Sequence, residues 1–528
     1  MFATGFAGAG KSTAIKIAQR FCFEFCRAAN IMWNDDTFLF TAYTGSAAAA
    51  FGGRTTVKST YYRKKHITDE MRLALLQVRI LIIDEVSFMK ASELRKLERT
   101  LREKIGDGTK PFGGFNIVFC GDFQQLRPVS VPDDEILWHP AAGGFFEKFI
   151  NCAIVLDGMH RFRDDIGYGH ILKRLCEGSL TQEDIDVLNS RVLGANGVKL
   201  PKSLPGDTCY ATPTNKERNS ISAGMFDQHV RETHPRILRS ELPPKHTLII
   251  EADMTTSGRY GTRKGISRNM CNRILELDDD DVRFDRTKPV DPCLKCYSGG
   301  FYMCMDNDRL EEDGTGNGTQ GRLKKIKLKS NAKSLRWKNW DGRKVWTVCA
   351  SEVEWVEFEH HPKTAEILVL ENELNRLSND DPKKSHLEKM LKRAVQSKTF
   401  RLAPKKFTNC TARVSPHDQV GVKQEMKCNM TQIPVNSSDA ITCHKLQGLT
   451  KDNLIVYSWN KLTEWIYVVL SRVKTLNGLY LIRRLKLSDI KLPSRDYLAF
   501  LQRMKDLQSV DLQRFKSYST VQEDGELV

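Results

Sequence analysis

The stretch "GFAGAGKST", residues 5–13, decides how this chain is read. Gly5, Gly10, Lys11 and Ser12 fit G-x-x-x-x-G-K-[ST], the loop that wraps phosphates in nucleotide hydrolases. Gly5, Gly8 and Gly10 let the backbone N–H groups of the loop, Ala9 and Thr13 included, turn inward around phosphate oxygens. Lys11 offsets the charge of the outer phosphates, and the Ser12 hydroxyl is a ligand for Mg²⁺. The helix that starts here adds its positive end. Taken alone, the motif also reads as a glycine-rich turn opening a helix. Only Met1 to Thr4 precede it, where a buried parallel strand is expected. The stretch is thus a working ATP site, a chance match, or a site whose front strand is missing.

The segments that follow decide between these. "TFLFTAYTG", "VRILIIDEV" and "FNIVFCGDF" are apolar runs rich in Ile, Val, Leu and Phe, each ending in polar residues or Gly. Buried parallel strands look like this, with chemistry at their carboxyl ends. Helical stretches such as "SELRKLERTLREKI" lie between them, so the first half reads as doubly wound α/β. Asp84 and Glu85 close the second run. Asp84 suits a water-mediated Mg²⁺ contact, and Glu85 suits the base that orients and deprotonates an attacking water. An acidic pair at a strand end is otherwise a solvated turn. Gln125, after the third run, carries an amide that suits sensing the terminal phosphate or its water.

Several motifs in a fixed order now make a specific resemblance. The loop Gly5–Thr13, "TAYTGSAAAAFGGRTT", "IDEVSFM" and "GDFQQLRPV" resemble the early motifs of superfamily 1 class B helicases. PIF-type DNA helicases are the nearest likeness and RecD-type enzymes a more distant one. "HRFRD", "ATPTNKERN", "NGTQGR", "AITCHKLQGLT" and "IYVVLSRV" agree, and the likeness is poor only over about 220–290 and 325–430. The resemblance implies an α/β fold with two RecA-like P-loop NTPase domains and a small β-barrel-like insertion in the second. The implied boundaries are 1–155 for the first domain, with a wedge insertion at about 52–75. They are 156–320 and 431–528 for the second, around an SH3-like accessory insertion with a helical hairpin at 321–430.

The same resemblance assigns roles. Arg161 and Arg472 become the arginines that reach the terminal phosphate, with Arg163 a competitor to Arg161; either also reads as a surface ion-pair residue. Arg472 follows the apolar run "WIYVVL", read here as a strand. Gln447 and Gly448 fall near the nucleotide. Thr44, Gly45 and Ser46 face a single DNA strand, as do Thr56, Lys58, Thr442, His444 and Lys445. Lys58 stands where the family usually has His, which leaves a phosphate contact but no His-specific role. Related helicases carry an upstream glutamine that reads adenine and a full first strand. Neither precedes Gly5, so the expectation is an incomplete N-terminus or weak adenine recognition.

Composition is compatible with that reading. The 528 residues are 40% hydrophobic and 28% charged, with a net charge of +16. Such a length corresponds to about three or four domains. Excess positive charge favours a polyanionic partner, although a basic protein without such a partner has the same composition. Fourteen cysteines without a regular framework read as reduced thiols of an intracellular protein. No apolar run approaches the roughly 20 residues of a membrane helix, and no signal peptide is visible.

"GRLKKIKLKS" alternates Lys325, Lys327 and Lys329 with Ile326 and Leu328, a period of two that gives one basic face. With Trp337, Trp340 and Trp346 nearby, it reads as a stacking platform for single strands, or as a small barrel with core tryptophans. Cys293, Cys296 and Cys304 lack the second pair that a zinc site needs and read as apolar strand positions. His360 and His361 read as surface residues, and Asp278–Asp281 as a solvated loop.

The resulting expectation is an ATP- and Mg²⁺-dependent helicase that acts on single-stranded and duplex DNA. It would be a monomeric motor without membrane contact, placed in the nucleus, with the mitochondrion as the alternative. Genome maintenance, repair, recombination and telomere roles come from the resemblance alone. The rival reading is a nucleic-acid-binding remnant of a mobile-element helicase with impaired ATPase. A P-loop enzyme acting on a small molecule leaves "HKLQG" and Arg472 without a reason.

Overall fold

The computed structural model describes residues 1–33, 36–50, 54–128, 131–195, 197–200, 208–234, 247–256, 282–284, 290–309, 315–360, 399–414 and 424–523. The acidic run Asp278–Asp281, His361 and the expected hairpin around Pro382 lie outside these residues. Two compact units emerge. The first combines Met1–Lys202 with Cys443–Val528, and the second is Ser203–Thr442.

The first unit is built on strands β1 (Phe2–Gly5), β2 (Phe38–Ala42), β3 (Arg54–Thr55), β4 (Ile80–Asp84), β5 (Asn116–Cys120) and β6 (Ala153–Leu156). They form one sheet in the order β3-β2-β4-β5-β1-β6, and every pairing is parallel. All carboxyl ends therefore leave from one edge, where an open α/β sheet places its site. The apolar runs are strands for the expected reason: Leu81, Ile82 and Ile83 are all buried, as strands covered on both faces require. Ahead of the phosphate loop, β1 is a short strand whose Phe2 and Ala3 pair with β5 on one side and β6 on the other.

Helix α1 (Lys11–Ala28) follows β1, and α2 (Gly45–Ala50) follows β2. Helix α3 (Thr56–Thr60) and α4 (Asp69–Leu76) precede β4, and α5 (Ala91–Thr100) joins β4 to β5. In α5 the apolar residues Ala91, Leu94 and Leu97 recur at helical spacing and continue through Leu101 and Ile105 in a π-helical turn. All five enter the main core with Ile83, Phe119 and Phe146. The helix Arg495–Glu523 supplies Tyr497, Phe500 and Met504 to the same core. Phe2 lies 5.3 Å from Phe146 and 6.2 Å from Phe500, centroid to centroid.

One reading of the sequence fails here. "WIYVVL" is not a strand but most of an α-helix, Thr463–Leu470. The run carries no period because the helix is buried all round, from Trp465 to Leu470. Short apolar runs of that kind fit either element.

The second unit pairs the strands Cys209–Thr212 and Ala440–Thr442 in parallel, with the helix Asn215–Thr233 after the first. Its remaining strands form three further sheets, two antiparallel and one mixed. Among the described residues none of these sheets closes on itself. Their core holds Ile250, Tyr302, Leu323, Val348, Val356 and Phe400. Cys293 and Cys296 are buried in the strand Cys293–Tyr297.

The basic face is real as a surface. On the strand Gln320–Leu328, Lys325 and Lys327 are exposed while Leu323 is buried, and a bulge at Leu323/Lys325 absorbs the extra Lys324. The aromatic ring beneath them is one the sequence did not single out. Arg401 lies 4.3 Å from the Trp355 centroid, and Lys325 and Lys327 lie 5.9 and 5.8 Å from it. Trp337 is 46% exposed, whereas Trp340 is half-buried and donates to Asp227 over 2.7 Å.

Candidate active site

The phosphate-loop sequence folds as its glycines demand. Gly5 has φ +148° and Gly8 has φ +84°, and a Cβ at Gly5 would stand 2.2 Å from the Leu156 carbonyl oxygen. A Cβ at Gly8 would meet the Cβ of Arg161 at 2.4 Å. Only glycine fits either position. Lys11 opens α1 and folds back, its Nζ donating to the carbonyls of Gly5 (2.7 Å) and Phe6 (3.3 Å). Ser12 and Thr13 are exposed in the first turn of α1, and Ala9 is buried.

Asp84 ends β4, in register with Ala42 of β2. Its Oδ1 accepts from the backbone N–H of Glu85 at 2.8 Å. Glu85 has φ +55°, a left-handed conformation that is uncommon for a non-glycine residue and aims its carboxylate back over the sheet edge. Gln447 donates its Nε2 to Glu85 Oε2 at 3.2 Å, and Gly448 stands close by at φ +84°. Burial, and then the charge of Glu85, push Asp84 up to about 7, while the Glu85 N–H and Lys11 pull it back. Burial also raises Glu85, against the opposing pull of Gln447, Lys11 and Arg472.

A buried relay that the sequence did not reveal ties the loop to the rest of the site. The Ala7 backbone N–H donates to the Tyr467 hydroxyl at 2.7 Å. Tyr467 donates in turn to Asp122 Oδ2 at 3.1 Å, which also accepts from Gln125 Nε2 at 3.1 Å. Gln125 and Gln447 are both buried, and the Oε1 atom of each meets no hydrogen-bond partner. Tyr467 was hidden in the run misread as a strand. The only available signal was a phenol inside an otherwise apolar stretch, since a buried hydroxyl needs a partner.

The arginines complete the set. Arg161 lies in the turn His160–Phe162; its backbone N–H donates to the Gly8 carbonyl at 3.3 Å and its Nη1 to the Ser471 carbonyl at 2.7 Å. Its rival Arg163 is 81% exposed and pairs with Asp164 at 3.8 Å. Arg472 is only 1% exposed; it donates to the carbonyls of Val468 (2.8 Å) and Leu449 (3.3 Å) and to Ser471 Oγ (2.7 Å). Among the described residues neither arginine pairs with a carboxylate. Burial, and then the charge of Arg472, pull Arg161 down to about 9, and burial lowers Arg472 as well. Raised acids beside lowered, unpaired guanidinium groups make a site built to receive an anion and a cation together. The glycine cradle, Lys11 and the arginines fit a polyphosphate, and Ser12 with Asp84 offers oxygens to a hard divalent ion.

The remaining expected contacts belong to several short elements. Thr44 Oγ1 accepts from the Ala47 N–H at 3.3 Å, and the buried Gly45 opens α2. The side chain of Ser46 lies outside the described residues. Thr56 is fully buried, its hydroxyl 3.0 Å from that of Thr41, so its side chain faces the interior. Lys58 is exposed on α3. Thr442, half-buried, ends its strand in the second unit; His444 (exposed) and Lys445 (half-buried) lie on the short helix Cys443–Leu446 of the first unit.

Comparison with known proteins agrees with this geometry. Residues 1–135 match the family model described as PIF1-like helicase. The ATP-dependent DNA helicase PIF1 of Saccharomyces cerevisiae is 23% identical over 532 residues, covering 91% of this chain and 57% of that protein. The chain therefore spans little more than half the length of that relative. The PIF1 helicase of Danio rerio is 34% identical over 140 residues, covering 25% of this chain and 20% of its own. A Bacteroides Pif1 bound to single-stranded DNA superposes with a TM-score of 0.59 at 19% identity, over 96% of this chain and 93% of that one. Candida albicans Pif1 does so with a TM-score of 0.55 at 19% identity, over 96% and 95%. The resemblance read from the ordered motifs is thus borne out: the first 135 residues carry the PIF1-like helicase pattern, and the chain has the fold of solved Pif1 helicases.

Proposed function

We propose that this chain is an ATP-driven DNA helicase that moves 5′→3′ on single-stranded DNA and unwinds duplexes ahead of it. One observation supports this reading above others. A single compact unit gathers the loop Gly5–Ser12, the carboxylates Asp84 and Glu85, and two arginines, Arg161 and Arg472, without carboxylate partners.

In this reading Lys11 leaves the Gly5 and Phe6 carbonyls for the phosphates of ATP, and Ser12 with Asp84 would hold Mg²⁺, which neutralises phosphate charge when bound. Glu85 orients and deprotonates the attacking water. Its raised affinity for a proton suits a general base near neutral pH, and Gln447 fixes its direction. Gln125 presents its unpaired amide oxygen to that water. Arg161 and Arg472 take up charge as the phosphoryl group transfers, which carries their desolvated cations to the anion they lack.

Hydrolysis would then be coupled to a strand held by Thr44, Gly45, Ser46, Lys58, Thr442, His444 and Lys445, with buried Thr56 bracing the loop through Thr41. The Trp355 face with Lys325, Lys327 and Arg401 adds a basic stacking surface. Two RecA-like halves, 1–155 and 156–320 with 431–528, would close and open around ATP, with 321–430 as an accessory insertion. The motor would be monomeric and nuclear and would serve repair, recombination or telomere maintenance, beyond what the relatives' names say, which is ATP-dependent DNA helicase. Strand displacement on duplexes with a 5′ or a 3′ tail tests the proposal. Unwinding only from the 5′ tail supports it, and preference for the 3′ tail overturns the direction.

A further inference from the structure

Away from the nucleotide loop, the first unit holds a cavity of about 440 Å³ along α5 and the turn after it. Lys64, Arg95, Lys96, Arg99 and Lys104 line it together with Tyr62, and no acidic residue does. This is not a random share of a basic protein's charge. The carboxylates on α5 and the turn after it are engaged with other partners, and Glu135 accepts from the backbone N–H of Ser92, a lining residue, at 2.8 Å. Glu93 accepts from Tyr43 and from Arg63, and Glu98 and Glu103 both hold Arg102, at 2.8 and 3.2 Å.

The lining cations, by contrast, meet no carboxylate among the described residues. Arg95 donates to the Ala142 carbonyl at 2.9 Å, and Lys104 to the Lys65 carbonyl at 3.2 Å. Lys64 reaches Met71 Sδ at 3.7 Å and stands 5.3 Å from the Tyr61 ring centroid. Tyr62, fully buried at the back of the wall, belongs with Glu93 and Arg63, whose charges act on its hydroxyl. Five cations without a carboxylate partner, gathered on one cavity, describe a receptor for phosphate oxygens.

The spacing favours a polymer over a lone phosphate. From residue 95 to residue 104 the helical rise is roughly 13 Å, enough for two or more successive backbone phosphates. A rigid helix face suits a rigid duplex, whose phosphates keep a fixed spacing. We infer that this cavity is a second nucleic-acid contact that grips the phosphate backbone of duplex DNA, apart from the strand contact at Thr44–Ser46. The inference rests on the reading of the chain as a DNA-acting motor, and it extends that reading from the tracked strand to the duplex.

The test uses the full chain, with a Lys96→Glu/Arg99→Glu variant, fluorescent blunt duplex and single-stranded DNA, and a salt titration without nucleotide. Both residues are exposed and lack ion-pair partners, so matched melting curves are expected. Duplex affinity should fall at least tenfold, and its log–log salt slope should become shallower by about 1.8, for two lost contacts. Single-strand affinity and single-strand-stimulated ATPase should not change. A Lys96→Gln/Arg99→Gln variant, which removes the two charges without reversing them, should weaken duplex binding less than the glutamate pair and leave the melting curve in place. Equal losses on duplex and single strand would reduce the effect to general charge and overturn the inference, as would no loss on duplex. Loss of polyglutamate binding with duplex binding intact would assign the cavity to an acidic protein instead. If the wild type shows no DNA-stimulated ATPase, the motor reading fails by itself, and the binding comparison still decides the cavity.

Discussion

The relay from Ala7 through Tyr467 to Asp122 makes a demanding prediction, because a single oxygen atom links the phosphate loop to the helix Thr463–Leu470. Tyr467→Phe removes that atom and leaves the ring, which packs 6.2 Å from Phe6, in place. Two bonds disappear. The Ala7 N–H, on a residue only 2% exposed, loses its acceptor, at a cost of about 1–3 kcal/mol for a buried donor left unsatisfied. Asp122 keeps Gln125 but loses a charge-assisted partner worth about 1.5–3 kcal/mol. The sum is roughly 3–5 kcal/mol, and at about 2 °C per kcal/mol the thermal transition of the first unit should drop by roughly 6–10 °C. Asp122→Asn should lower it by less, and the double variant should fall short of the sum of the two, because both act on one bond. KM for ATP should rise with the single Tyr467 change, since the Ala7 N–H lies in the phosphate cradle. A Tyr467→Phe protein that melts within 1 °C of wild type and keeps its KM would refute the relay.

Other consequences are sharper in sign than in size. Gly8→Ala forces a side chain into φ +84° and against Arg161, so ATP binding should be lost even if the protein folds; retained binding would show the loop is not the cradle drawn here. Arg472→Ala removes a buried cation together with its three bonds; kcat should fall by at least a hundredfold with KM much less affected, and a change in KM alone would contradict its place at the transferring phosphate. Asp84, held near 7, binds its proton more tightly folded than unfolded. The nucleotide-free protein should therefore lose stability as pH rises from about 4 to about 7, by up to roughly 1.4 kcal/mol per unit from this group. Binding of Mg²⁺–ATP, which needs the ionised form, should instead weaken as pH drops below 7; titration calorimetry at pH 6 and pH 8 reads the proton release directly.

Much of this was legible in the sequence because the chemistry sits at strand ends. Glycine spacing gave away the loop, and the apolar runs before Asp84 and Gln125 fixed which residues would face the same edge. What stayed hidden had physical reasons. A buried helix such as Thr463–Leu470 has no polar face, so its period is invisible and Tyr467 with it. Arg161 and Arg163 are indistinguishable as letters; the close approach of Gly8 to Arg161, its bond to the Ser471 carbonyl and the exposure of Arg163 separate them. Thr56 looks like any hydroxyl in a polar loop until β2 buries it against Thr41. The four residues of β1 seemed too few for a strand, yet they pair on both flanks, between β5 and β6.

The central claim is that this site hydrolyses ATP in response to a DNA strand. ATPase measured with and without single-stranded DNA, for wild type, Lys11→Ala and Glu85→Gln, tests it most directly. The account predicts strong stimulation in the wild type, no turnover in either variant, and ATP binding kept by Glu85→Gln but lost by Lys11→Ala. Turnover that ignores DNA, or that survives the loss of Glu85, would contradict it.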